Sequence, residues 1–78
     1  GKTENIIFDL LGKAQLSRID GSVHTLRYDS KKCRLFLFFN QEANDKRVEY
    51  FELRNDKAEL LNSKQALEGC YKEFNLLN

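Results

Sequence analysis

Apolar residues recur along this chain at two spacings, and the change from one to the other marks out its elements. In residues 3–12, TENIIFDLLG, Ile6, Ile7, Leu10 and Leu11 recur at i, i+1, i+4 and i+5, the spacing of one buried helix face. Thr3 is the expected N-cap and Glu4 suits the first turn. Gly12 is the expected left-handed residue that stops the helix, and Phe8 falls off the apolar face. From residue 14 the period drops to two. AQLSRIDGSVHTLRYD reads as a hairpin around Asp20-Gly21, with His24, Leu26 and Tyr28 on one face and Val23 and Thr25 on the other. Its first arm is the less regular. A turn at Ser30-Lys31-Lys32 leads into CRLFLFFN, with Cys33, Leu35, Leu37 and Phe39 on one face and Arg34, Phe36 and Phe38 on the other. A strand apolar on both sides is normally central and covered twice. A polar loop at 40–45 precedes KRVEYFELR, in which Val48, Tyr50 and Glu52 alternate with Glu49, Phe51 and Leu53.

The rest returns to helical spacing. Residues 55–63, NDKAELLNS, read as a polar connection with a helical turn near Leu60 and Leu61. Ser63 then caps a last helix whose apolar stripe is Leu67, Cys70, Tyr71, Phe74 and Leu77. The expected fold is α+β in two layers: an N-terminal helix, an antiparallel meander of three or four strands, and a C-terminal helix packed on the sheet.

Composition narrows what such a fold does. At 78 residues the chain, 1–78, is one domain. It is 41% hydrophobic and 32% charged, which suits a folded domain rather than a disordered one. A net charge of +1 makes no demand for nucleic acid or an anionic membrane as partner. Lys31, Lys32 and Arg34 form a small basic cluster that a solvated turn explains. No window reaches the ~20 apolar residues of a membrane-spanning helix. The two cysteines fit no CxxC pattern, and with His24 alone they do not complete a zinc site. No P-loop or GxGxxG occurs. His24 is a candidate general base, but no serine stands in a nucleophile-elbow context, so neither an enzyme nor a cofactor is expected.

Cys33 shares a face with Leu35, Leu37 and Phe39, and Cys70 lies on the helix stripe. A helix packed on that face brings the sulfurs together, as one disulfide or as two small buried thiols. The aromatic strands supply the other lead. Phe36, Phe38 and Phe51 are expected on the opposite face, where an exposed apolar patch would bind protein. Tyr28, Phe36, Phe38 and Tyr50 are the stacking set that a single-stranded RNA reader would use.

Gly1, Thr3, a short amphipathic helix, Leu11-Gly12, the aromatic Tyr28 and the hydrophobic run Leu35 to Phe39 together carry a resemblance. The stretch resembles the SmpA/OmlA family of small bacterial outer-membrane lipoproteins, relatives of the accessory lipoprotein of the β-barrel assembly machine. The likeness spans residues 1–54 well and the tail loosely. It is nearest to a variant with one cysteine opening the hydrophobic strand and another in the last helix, positions filled here by Cys33 and Cys70. The resemblance therefore implies a Cys33–Cys70 disulfide and a lipid-bearing cysteine upstream of Gly1. It also implies a place on the periplasmic face of the outer membrane and a larger envelope protein as partner. The candidate contact surface, Tyr28, Phe36, Phe38 and Phe51, comes from the aromatic strands themselves, since no segment corresponds to the residues by which the assembly-machine member contacts its partners. Ala14 departs from the proline the family often carries after Leu-Gly-x. Two other functions stand as alternatives: by fold-level analogy to helix-plus-sheet proteins that inhibit β-lactamases, an inhibitor of a periplasmic hydrolase, and a cytosolic regulatory or nucleic-acid-binding domain with reduced thiols.

Overall fold

In a computed structural model that describes residues 4–42 and 47–74, the elements run α1 (Glu4–Leu11), β1 (Leu16–Asp20), β2 (Val23–Asp29), β3 (Cys33–Asn40), β4 (Val48–Asn55) and α2 (Lys64–Glu73). The strands form one antiparallel sheet in the order β1-β2-β3-β4. This is the α+β meander with flanking helices that the spacing predicts. The Thr3 cap, Leu77 and part of the 40–45 loop lie outside the described residues.

Local chemistry explains the boundaries. Gly12 takes φ +75°, and its N–H donates to the Phe8 carbonyl at 2.7 Å, closing α1. Asp20 pairs with Val23 across a two-residue turn, with Gly21 at φ +59° in its first position. That is the position which primed hairpin turns reserve for glycine. The Ser63 hydroxyl accepts the Ala66 N–H and caps α2.

Both helices pack on one face. Ile7 of α1 and Cys70 of α2 belong to a single cluster with Leu26, Tyr28, Cys33, Leu35, Leu37, Phe39 and Leu53. Phe39 and Leu53 are its most deeply buried large side chains, each 1% exposed. The Cys33–Cys70 disulfide ties the head of β3 to α2, with Cα atoms 5.8 Å apart. Next to it, the Glu73 carboxylate accepts hydrogen bonds from the Ser30 hydroxyl at 2.7 Å and the Lys32 N–H at 2.9 Å. The bond to Ser30, helped by that from Lys32, holds the Glu73 carboxyl below its ordinary value.

Four expectations need correcting. The buried face of α1 is narrower than its spacing suggests: Ile7 is buried and Leu11 packs against the core, while Ile6, Phe8 and Leu10 are exposed. No helical turn forms at Leu60. Leu60 bridges Arg54 in antiparallel fashion, and the Leu61 N–H donates to the Leu53 carbonyl, so the chain doubles back along β4. Ala58 makes the reversal at φ +66°. Third, the pairing of β3 with β4 shifts register between Phe38 and Phe39, leaving Glu49 as the extra residue of a bulge. Val48 therefore pairs with Phe39 on the helix side, and Tyr50 pairs with Phe38 on the other. Fourth, Phe51 does not join Phe36 and Phe38. It pairs with Leu37 and so points to the helix side, because directly paired residues share a face.

Candidate functional site

The face away from the helices is the first candidate, and its residues are set by the register. One row across the sheet is Leu16, Arg27, Phe36 and Glu52, and the next is Arg18, Thr25, Phe38 and Tyr50. Beyond the first row lie Asp29, Arg34 and Arg54. No helix covers this face among the described residues. Phe36 and Phe38 are half-buried by their neighbours, and Tyr50 is exposed. The Phe38 and Tyr50 rings lie 5.5 Å apart and tilted, a favourable aromatic geometry.

The arginines on this face are engaged. Asp29 lies 3.1 Å from the Arg27 guanidinium and 3.5 Å from that of Arg34. Arg34 also donates to the carbonyls of Ser30 and Cys33. Arg54 pairs with Glu52 at 3.0 Å and donates to the Ala58 carbonyl. Arg18 pairs with Asp20 at 2.8 Å. The Tyr50 hydroxyl donates to Glu52 at 3.2 Å, and this bond with the nearby carboxylate charge raises the Tyr50 pKa. A surface that grips polyanions keeps cations free to neutralise phosphates. Here Arg18, Arg27, Arg34 and Arg54 are each held by Asp20, Asp29 or Glu52, with Asp29 shared by two of them, and what remains is an aromatic strip flanked by paired charges.

Of the contact residues expected from sequence, Phe36 and Phe38 lie together on this face. Tyr28 does not: it is 4% exposed on the helix side, and its hydroxyl donates to the Gly12 carbonyl at 2.8 Å. Its work is to bolt the end of α1 to the sheet. Phe51, 48% exposed, sits at the β4 edge of the helix side.

The second candidate is His24. It is buried against the Phe39 ring, and its Nε2 lies 2.8 Å from the Ser17 hydroxyl. Ser17 also lines a groove of about 260 Å³ with Asn5, Phe8, Lys13, Ala14, Leu26 and Tyr28. The sequence reading missed Ser17. The two-residue turn carried the signal, because it places Ser17 beside the His24–Ile19 pair on the same face. A serine next to a histidine in a groove has the outline of a nucleophile and its base. The protonation needed runs the other way. His24 Nδ1 is buried without a hydrogen-bond partner among the described residues. An orphaned buried N–H costs more than an orphaned lone pair, so the proton belongs on Nε2, which then donates to Ser17. A histidine in that tautomer orients a serine and does not activate it. No cluster of metal-ligating side chains occurs among the described residues, nor does any helix long and apolar enough to cross a membrane.

Set beside known protein families, curated proteins and solved structures, the chain has no significant match.

Proposed function

We propose that this chain is a non-catalytic binding module of the bacterial cell envelope, the folded part of a lipoprotein that supports outer-membrane protein assembly or envelope integrity. The observation that carries the reading is the Cys33–Cys70 disulfide in the core between sheet and helix. Structural disulfides belong to oxidising compartments, and for a bacterial chain that means outside the cytoplasm. The sequence likeness to small outer-membrane lipoproteins supports the same compartment. In this reading a lipid on an upstream cysteine tethers the domain to the membrane. Phe36, Phe38 and Tyr50 then dock on a larger envelope protein. The pairing of the arginines around them with carboxylates favours a protein surface over nucleic acid as the partner.

The test uses the full-length gene product in a bacterial host. Trapping of thiols before lysis should find Cys33 and Cys70 oxidised, fatty-acid labelling should mark the protein, and it should fractionate with the outer membrane. Two reactive thiols in intact cells, or a precursor without a signal sequence, would sink the proposal. A Phe36→Ser/Phe38→Ser variant tests the docking face. It should fold, yet fail to restore detergent resistance to a deletion strain that the wild type rescues.

A further inference from the structure

The sheet has two edges, and among the described residues only β4 carries a bulge and a covering segment. On β4, the Glu49 bulge breaks the ladder and the Ala58 reversal lays Leu60 and Leu61 along the far half of the strand. Bulges and covering chain are the usual devices that keep an edge from pairing with another molecule. On β1 neither is present. Its residues Leu16–Asp20 are all exposed, with no proline among them, and no strand lies outside it among the described residues.

The hairpin turn decides which backbone groups this edge offers. A two-residue turn closes on a hydrogen-bonded pair, here Asp20 with Val23. Hydrogen-bonded pairs alternate from there, so Asp20, Arg18 and Leu16 direct their N–H and C=O groups to β2. Ser17 and Ile19 direct theirs outward. The side chains of these two residues point to the helix side, since they pair with Leu26 and His24. Ser17 lines the groove with Phe8 and Ala14, and Ile19 is 59% exposed.

We infer that β1 is a self-pairing edge: two copies of this chain join through antiparallel β1 strands about a twofold axis at Arg18, and each seats its Ile19 beside the other's groove. In this register Ser17 of each copy faces Ile19 of the other, the arrangement that the outward backbone groups of both residues require. Four main-chain hydrogen bonds form. Directly opposed Cβ atoms in a sheet lie ~5 Å apart, which brings Ile19 against Ser17 and within reach of Phe8 and Ala14. The volume is sufficient, since cavities of ~150 Å³ hold benzene and this groove measures about 260 Å³. The surface is complementary to itself, as a twofold contact must be: each chain supplies one exposed aliphatic side chain and one apolar groove. Arg18 meets its own copy across the axis on the open face, and its ion pair with Asp20 softens that repulsion. The contact is small, so association is weak and becomes visible only at high protein concentration.

Sedimentation across micromolar to millimolar concentrations, with amide exchange by NMR, tests this. The average mass should rise reversibly toward twice the 9.2 kDa of one chain. The Ser17 and Ile19 amides should slow on association, while Arg18 and Asp20 stay protected at all concentrations. Ile19→Lys should abolish association with an unchanged thermal midpoint, because the side chain is exposed in the single copy. Arg18→Ser should strengthen association severalfold by removing the facing charges. A mass that stays monomeric throughout overturns the inference. So does a dimer indifferent to Ile19→Lys, or one in which the Ser17 and Ile19 amides keep exchanging fast. The Phe36 and Phe38 face plays no part, so the outcome is independent of the function proposed above.

Discussion

Along β3 the residues alternate between two surroundings. Cys33, Leu35, Leu37 and Phe39 are buried under the helices, whereas Arg34, Phe36 and Phe38 lie half-buried on a face with no helix over it among the described residues. Both sets are largely apolar, so composition does not separate them. The separation comes from the neighbours. On one side are Leu26, Tyr28 and Leu53, a disulfide and two helices. On the other, arginines alternate with carboxylates that pair with them. The lesson is that an apolar side chain stabilises in proportion to what covers it. Among the described residues, Phe36 and Phe38 lie where no further layer covers them.

The contrast can be broken most forcefully at the disulfide. The bond closes a loop with ends 37 positions apart. In the chain-entropy model it contributes about 4 kcal/mol, much of the ~5–15 kcal/mol margin of a typical domain. Urea unfolding of the reduced protein should show a loss of that order. A loss under ~1 kcal/mol would mean that the helix face holds without its tie.

Single side chains sharpen the comparison. Leu53→Ala on the helix side should cost about 3 kcal/mol, because the site is closed on every side and a cavity remains. Phe38→Ala, on the open face, removes a larger side chain yet should cost only about 1 kcal/mol, since solvent fills the space and mainly the Tyr50 contact is lost. Equal losses in urea unfolding would show that something covers the open face in solution.

The smallest effect concerns acid. Glu73 holds the end of α2 to the Ser30–Lys32 turn, and its carboxyl is depressed in the folded state. A depressed carboxyl contributes stability above its unfolded pKa and loses that contribution as pH falls through the folded value. The gap in thermal midpoint between the wild type and Glu73→Ala should therefore be widest near neutrality and close in acid. The group is exposed, so solvent screening keeps the gap small. A gap constant across that range would show that Glu73 acts without its charge.

Much of this was readable before folding. The Asp20-Gly21 turn, the Gly12 stop, the Ser63 cap and the alternation in β2 and β3 each depend on residues within a few positions of one another. Tyr28 was harder. Its place on the His24 face was legible, but its role depends on the Gly12 carbonyl, which arrives only when α1 docks. Ser17 was overlooked because the first arm alternates poorly, and its partner is set by the hairpin register.

The sequence by itself determined the order of the elements, the Gly12 stop, the Asp20-Gly21 turn, the Ser63 cap, and which residues share a face within β2 and β3, because these rest on short-range geometry. Only the tertiary structure decided that both helices lie on one side, that Cys33 meets Cys70, and that Phe51 parts from Phe36 and Phe38. The reason is physical. A strand's side chains have a period of two, so one bulged residue, Glu49, flips the alternation between Val48 before it and Tyr50 after it, and that slip is set by pairing with a neighbouring strand.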